Sequence, residues 1–208
     1  MIADTRWQVR SCAGAIALLA VIGLVAQYIG ELRNPGSPMA HAWTMVRYFT
    51  NITGVLTAIV FGRIGIGAAP IRHSWLLPGV VFSAMLVGSV NALLLTGLEH
   101  PSPAAKLADL LLHDLLPIAA PLFWVAFAQK GLLRHRDPWL WAALPVAYLA
   151  YALARGSMEG VYPYPFIDVA AIGWARTATN ALGIAVGFLG LGTLVVLLDR
   201  WLTRWDRG

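Results

Sequence analysis

The sequence predicts an all-α polytopic membrane protein, a single bundle of six transmembrane helices with its N-terminus and C-terminus in the cytoplasm. Apolar residues make up 59% of the 208 residues, charged residues make up only 12%, and the mean hydropathy is +0.69. Soluble domains carry about 45–50% apolar and about 25% charged residues, and a soluble chain of this length could not bury so much apolar surface in one core. The excess apolar surface must therefore face lipid.

Each predicted helix is an apolar stretch that reaches, or nearly reaches, the length of about 20 residues needed to cross a bilayer. The spans are predicted, in chain order, at 12–29, 48–65, 75–98, 107–128, 139–153 and 172–198. The first follows Arg6 and Arg10 and is interpreted as a retained helix rather than a signal peptide, since further spans follow it. The fifth is short and contains Pro145, which predicts a kink or a longer helix. One transmembrane domain therefore covers 1–208.

The basic residues predict how the bundle is oriented. With the N-terminus inside, the inner segments hold most of the 15 Lys and Arg residues. Such an excess is typical of cytoplasmic loops, and the tryptophans near the predicted helix ends suit the membrane interface. This distribution explains the net charge of +5, so we expect no nucleic-acid partner.

Polar side chains inside the spans gather in the halves that this orientation places on the outer side. They lie at the outer ends of helices two, three, four and six, and in the loop that precedes helix six. Because a polar residue inside a membrane is energetically costly, these positions are the first candidates for function. At a rise of about 1.5 Å per residue, Thr50 and His113 each lie about one to two turns below the outer end of their helix. They are therefore expected to face each other at similar depth.

His113 is the only histidine inside a predicted span, and imidazole is the commonest general base near neutral pH. A nucleophile would have to lie within hydrogen-bond reach of it. The hydroxyls at matching depth are Thr50, Thr53, Thr96, Thr177 and Thr179. Chemistry alone does not choose among them, because a threonine in a membrane helix commonly bonds to the carbonyl one turn back and a histidine can simply join helices.

Metal and cofactor sites have less support from the sequence. His113 and Asp114 are adjacent on a helix, so they do not share a face as zinc ligands would. A bis-histidine haem needs a second intramembrane histidine, and the predicted spans contain none. The sequence also has no Gly-rich phosphate-binding motif. We therefore expect neither a metal nor a cofactor.

Three motifs occur in order along the chain. They are Arg47-Tyr48-Phe49-Thr50 at the start of helix two, His113-Asp114-Leu115-Leu116-Pro117 in helix four, and Tyr162-Pro163-Tyr164-Pro165-Phe166-Ile167-Asp168 before helix six. Together they resemble the androgen-induced gene product family, which includes the androgen-dependent TFPI-regulating protein and bacterial integral membrane relatives. The resemblance covers about 50–180 in outline. The chain is interpreted as a bacterial relative of this family, so we expect it in the bacterial inner (plasma) membrane.

The resemblance implies a six-helix membrane fold and a threonine hydrolase that cleaves fatty acid esters of hydroxy fatty acids. It also implies that Thr50 is the nucleophile and His113 the catalytic histidine. The chain departs from the animal members at both residues. Asn51 follows Thr50 where they have an apolar residue, and Leu112 and Asp114 flank His113 where they have a longer polar stretch.

We therefore predict an intramembrane threonine hydrolase in which His113 takes the proton of Thr50, and Thr50 attacks the ester of a membrane lipid. Asp168, in preference to Asp114, is predicted to orient the imidazole. The predicted oxyanion donors are Asn51, Asn91 and Tyr164, and the predicted pocket residues are Arg47, Tyr48, Tyr162 and Phe166. The alternatives are a lipid- or small-solute-binding or transport protein without covalent chemistry, and a structural factor. The sequence does not set the oligomeric state, and a homo-oligomer stays open.

Overall fold

The structure, a computed structural model, describes residues 2–68, 76–95 and 102–205. Every regular element in these ranges is helical, which confirms the predicted all-α fold class. The helices are α1 (Ile2–Glu31), α2 (Pro38–Met45), α3 (Phe49–Gly65), α4 (Leu76–Val90), α5 (Pro103–Asp109), α6 (Leu116–Phe127), α7 (Asp137–Glu159) and α8 (Val169–Trp205). Short π-helical turns, Asn91–Leu95 and Leu110–Leu115, extend α4 and join α5 to α6, and a 3-10 turn, Pro165–Ile167, precedes α8.

Among the described residues, four helical stretches are long and apolar enough to cross a membrane. They are Arg6–Glu31, Leu76–Leu95, Pro103–Phe127 and Val169–Thr203. A fifth candidate exists if α2 and α3, whose axes meet at 91°, form one broken span. These four or five spans agree with an integral membrane protein.

Two of the predicted spans, 48–65 and 139–153, are not among these four stretches. The first corresponds to α3, which counts as a candidate only together with α2. The span 139–153 corresponds to α7, which is not among the candidates. The ends of the span 75–98, residues 75 and 96–98, lie outside the described residues.

Serine–proline pairs start two of the short helices. Ser37 Oγ accepts a hydrogen bond from the Ala40 N–H at 3.2 Å, and Ser102 Oγ accepts one from the Ala105 N–H at 3.1 Å. A proline follows each serine at the first helical position, where a missing N–H loses no bond. These hydrogen bonds cap the N-termini of α2 and α5. The two short helices directly precede the segments that carry Thr50 and His113.

The chain divides into two compact units, the first ending at Ala128 and the second beginning at Gln129. In the first unit α1 packs along α3, and α4 packs against both α3 and α6. Glycine allows the close approach of α1 and α3, because a Cβ added to Gly65 would lie 3.1 Å from the Cα of Gly14. The buried face of α3 recurs every three to four residues, as the core-facing stripe of a helix does. It includes Phe49, Thr50, Thr53, Thr57, Phe61 and Ile64.

In the second unit α7 and α8 pack together, and polar contacts attach the loops on either side of α7 to α8. The buried carboxylate of Asp199 accepts hydrogen bonds from two backbone N–H groups of the loop before α7, with that of Gly131 at 2.8 Å. After α7, Asn180 Nδ2 donates to the carbonyl of Phe166 at 2.9 Å. A break at Gly173, with φ of 77°, kinks α8 near its start.

Candidate active site

A sharp bend between α2 and α3 positions Thr50 at the start of a helix. Tyr28 of α1 holds α2, because its hydroxyl donates to the carbonyl of Pro38 at 3.4 Å. Across the bend, Asn51 Nδ2 donates to the carbonyl of Met45 at 2.9 Å. These two hydrogen bonds hold the bend in which Thr50 lies. Thr50 is the second residue of α3, and its side chain is only 8% exposed.

The N-terminus of α3 supplies positive potential next to Thr50. The N–H groups in the first turn of a helix have no acceptor within the helix, and the macrodipole adds about half a positive charge at this end. α3 begins at Phe49, one residue before Thr50. An anion that forms on the Thr50 hydroxyl is therefore stabilised by α3 itself.

His113 lies in the π-helical turn Leu110–Leu115, between α5 and α6. The wide turn agrees with Pro117, which has no N–H to donate to the carbonyl of His113. Gly88 of α4 lets this segment pack closely, since a Cβ there would lie 2.6 Å from Pro117 and 3.2 Å from the His113 carbonyl oxygen. The π turn inserts one residue into the helix and so decides where the imidazole points.

Thr50 and His113, which are 63 residues apart in the chain, are in direct contact. Thr50 Oγ1 lies 3.1 Å from His113 Nε2. The threonine O–H donates to Nε2 when that nitrogen carries no proton. The contact joins α3 to the π turn. It agrees with the expectation that Thr50 and His113 face each other at similar depth in the second and fourth predicted spans.

Asp109 lies on the far side of the imidazole. His113 Nδ1 is 2.8 Å from Oδ1 of Asp109, four residues earlier, and the two side chains are 21% and 23% exposed respectively. A carboxylate at this nitrogen favours the tautomer with its proton on Nδ1, which leaves the lone pair of Nε2 facing the hydroxyl. Sequence reasoning missed this role of Asp109, although the i, i+4 spacing is the signal that could have found it.

Asp168 and Asp114, the carboxylates expected to orient the imidazole, have other surroundings. Asp168 lies in the second unit, where its Oδ1 accepts a hydrogen bond from the Ala171 N–H at 3.1 Å and caps the start of α8. Asp114 is exposed and directly follows His113, so it lies on another face of the helix. Asp109 reaches Nδ1 because it shares the face of His113 one turn back.

The residues expected to donate to an oxyanion or to line the pocket fall into two groups. Arg47 and Tyr48, both half-buried, belong to the bend that precedes Thr50, and Asn91, also half-buried, begins the π turn after α4. The side-chain amide of Asn51 already donates a hydrogen bond to the carbonyl of Met45. These residues all belong to the first unit, as Thr50 does.

The second group, Tyr162, Tyr164 and Phe166, belongs to the second unit. The rings of Tyr164 and Phe166 stack in parallel at 5.1 Å between centroids. Gly156 of α7 faces Tyr162 so closely that a Cβ would overlap the ring. The Tyr-Pro loop is therefore an ordered, aromatic connection between α7 and α8.

The other hydroxyls that the sequence offers as nucleophiles have different roles. Thr177 and Thr179 each donate to the carbonyl four residues back, at 3.0 and 2.9 Å, which is the common structural role of threonine in membrane helices. Thr53 is 2% exposed and contacts no hydrogen-bond partner among the described residues. Thr96 lies outside the described residues. Of the described candidates, Thr50 is the one in contact with the imidazole.

A hydroxyl, an imidazole and a carboxylate in series form the arrangement used in nucleophilic catalysis. Within the described ranges, no group of three or more His, Cys, Asp and Glu side chains could hold a metal ion. Comparison with protein-family models, with curated proteins and with solved structures gives no match to this chain. The fold and the site therefore define the class by themselves: a helical protein with several candidate membrane spans and a Thr–His–Asp series.

Proposed function

We propose that the chain is an intramembrane threonine hydrolase of the androgen-induced gene product type, which cleaves fatty-acyl esters of a membrane lipid. The observation that carries the proposal is the 3.1 Å contact between Thr50 Oγ1 and His113 Nε2. At this distance the imidazole can take the hydroxyl proton directly. A nucleophile within reach of a base, which a third group orients, is the general signature of an activated hydroxyl.

The reaction has two halves. First, His113 takes the proton of Thr50 Oγ1, the oxygen attacks the ester carbonyl carbon, and the bond from that carbon to the alcohol oxygen breaks. The leaving alcohol takes the proton from His113, and a fatty-acyl ester stays on Thr50. Then water, deprotonated by His113, attacks the acyl carbon, and Thr50 regains a proton as the fatty acid leaves. The sum is ester plus water giving acid plus alcohol.

The surroundings support the charges that this reaction creates. When Nε2 takes the proton the imidazole becomes positive, and Asp109, 2.8 Å from Nδ1, stabilises it. The negative charge develops at the N-terminus of α3, where the helix dipole favours it. Both groups act from a partly buried site, where electrostatic interactions are stronger than in water.

The proposal includes a six-span topology with both termini in the cytoplasm. In this topology α7 extends the short apolar stretch 139–153 into the fifth span, and α3, preceded by α2, is the second. The excess of basic residues in the inner segments supports the orientation. Thr50 and His113 then lie near the outer face of the bacterial inner membrane.

α2 supports a lipid as the substrate. Its axis is bent by 91° from that of α3, so α2 runs along the membrane surface when α3 crosses the bilayer. Met39 and Trp43, four residues apart on α2, are both exposed, and tryptophan favours the lipid–water interface. An ester group at headgroup depth would therefore meet Thr50 at the bend, while its acyl chain stays in the bilayer.

Covalent labelling with a fluorophosphonate probe tests the proposal. The protein in lipid nanodiscs is expected to be labelled on Thr50, as located by mass spectrometry, and the variants Thr50→Ala and His113→Ala are expected to lose the label. Thr177→Val is the matched control, because the Thr177 hydroxyl bonds to its own helix. Label that persists in Thr50→Ala contradicts the proposal. Lipid binding without label or ester hydrolysis supports the binding or transport alternative instead.

A further inference from the structure

The hydroxyl of Thr53 is a buried polar group of the first unit whose role is not explained by the contacts described above. Its side chain is 2% exposed, and Oγ1 has no hydrogen-bond partner among the described residues. One turn further along α3, Thr57 Oγ1 donates to the carbonyl of Thr53 at 2.8 Å. Thr53 does not use the equivalent bond. A buried polar group without a partner is rare in a folded protein and calls for a reason.

Thr53 lies beside the proposed nucleophile. It is three residues after Thr50 on α3, so the two Cβ atoms lie about 5–6 Å apart on one helix face. Both belong to the buried stripe of this helix. Gly54 holds that stripe in place, since a Cβ there would lie 3.1 Å from Leu24 of α1. The rotation of α3 is therefore fixed, with the two hydroxyls on the same side.

We infer that the Thr53 hydroxyl donates a hydrogen bond to the oxyanion that forms when Thr50 attacks the ester, an inference that rests on the proposed function. The oxyanion is two covalent bonds from Thr50 Oγ1, within reach of a donor on the next turn. A donor that is unpaired in the resting protein and paired in the transition state stabilises the transition state selectively. Asn51 is less suited to this role because its amide already donates to Met45.

Kinetics on matched variants tests the inference. Thr53→Val keeps the shape and removes the donor, and it is expected to lower kcat about 100-fold on a fluorogenic fatty-acyl ester with little change in KM. Thr53→Ser keeps the donor and is expected to stay within a few-fold of the wild type. Thr57→Val is the control, because it removes an equally buried hydroxyl of α3 that is already bonded.

Thermal unfolding separates this role from a structural one. Because the Thr53 hydroxyl has no partner in the resting protein, its removal is expected to leave Tm unchanged or to raise it. If Thr53→Val does not fold, Thr53→Ala removes the same donor and is measured in its place. A boronic acid that forms a tetrahedral adduct on Thr50 gives a second readout, and its Ki is expected to rise about 100-fold with the loss of the donor.

The outcomes separate failure of this inference from failure of the proposed function. A Thr53→Val enzyme with the wild-type kcat and boronate Ki, alongside an inactive Thr50→Ala enzyme, overturns the role of Thr53 and leaves the hydrolase. A wild-type protein with neither ester hydrolysis nor Thr50-dependent label overturns both. A fall in kcat and Tm together, also seen in Thr57→Val, assigns Thr53 to packing and overturns the inference.

Discussion

α3 and α8 each carry several threonines, and the two helices use their hydroxyls differently. In α8 the threonines donate to the carbonyl four residues back, at 2.8 to 3.0 Å; they are Thr177, Thr179, Thr193 and Thr203. In α3 Thr57 does the same, whereas Thr50 contacts His113 and Thr53 contacts no partner in the described part of the chain. The bond to the helix's own carbonyl is the default for a hydroxyl in apolar surroundings. A threonine that departs from it therefore marks a site.

Loss of the Thr50 hydroxyl is expected to have the largest effect. Thr50→Ala removes the proposed nucleophile and should lower kcat by about 10³-fold or more, whereas Thr50→Ser keeps a hydroxyl and should stay within about tenfold. The kcat of both variants is measured by hydrolysis of a fluorogenic ester, with the protein in nanodiscs. Full activity in Thr50→Ala would contradict the view that Thr50 of α3, unlike the threonines of α8, has a catalytic role.

Loss of the Asp109 charge is expected to have the next largest effect. Asp109→Asn no longer stabilises the imidazolium or its tautomer, so kcat should fall about 100-fold while KM changes little. Asp114→Asn is the matched control, because Asp114 is the neighbouring carboxylate on another face. Equal effects of the two substitutions, measured in the same ester assay, would show that Asp109 has no special role.

A smaller effect is expected from loosening the bend before Thr50. Asn51→Leu loses the 2.9 Å hydrogen bond to the Met45 carbonyl, so the nucleophile is held less firmly and kcat should fall about tenfold. Thr44→Val is the control, since it removes a hydroxyl bonded within α2 rather than across the bend. A drop in Tm without a drop in kcat would assign Asn51 to stability alone.

The smallest effects are expected in α8. Thr177→Val and Thr193→Val each remove a hydroxyl bonded to its own helix, so kcat should stay within about twofold. The free energy of unfolding should change by no more than about 1 kcal/mol, as followed by thermal unfolding. A tenfold loss of kcat in either variant would extend the site into α8.

The relative height of Thr50 and His113 along their helices can be predicted from the sequence, whereas the packing of a distant loop cannot. The rise per residue puts Thr50 and His113 at one depth, and their side chains are 3.1 Å apart. The group at the other imidazole nitrogen, Asp109, could also have been found, because it lies four residues before His113 and residues with this spacing share a helix face. The prediction of Asp168 depends instead on the Tyr-Pro loop folding back over the outer helix ends, whereas Asp109 is the carboxylate that lies at Nδ1.

The positions of the helices can likewise be predicted better than their shape. The predicted span 48–65 matches α3. The preceding α2 has only eight residues, which is too short to be predicted as a span. The 91° bend between the two helices cannot be read from hydropathy. The cap at Ser37 and Pro38 is the local signal that could have located α2. Similarly, the span 139–153 covers only the apolar middle of α7, because the charged ends of this helix lie outside an apolar window.

The bend at the start of α3 also gives the proposed ester hydrolysis a kinetic consequence. An ester that reaches Thr50 by lateral diffusion is present at a two-dimensional concentration, set by its mole fraction in the leaflet rather than by the volume of buffer. Turnover should therefore follow surface dilution: adding inert phospholipid at constant total ester slows the reaction, and adding buffer does not. In the proposed reaction the released fatty acid returns to the same leaflet, so it is expected to accumulate where the next ester must arrive.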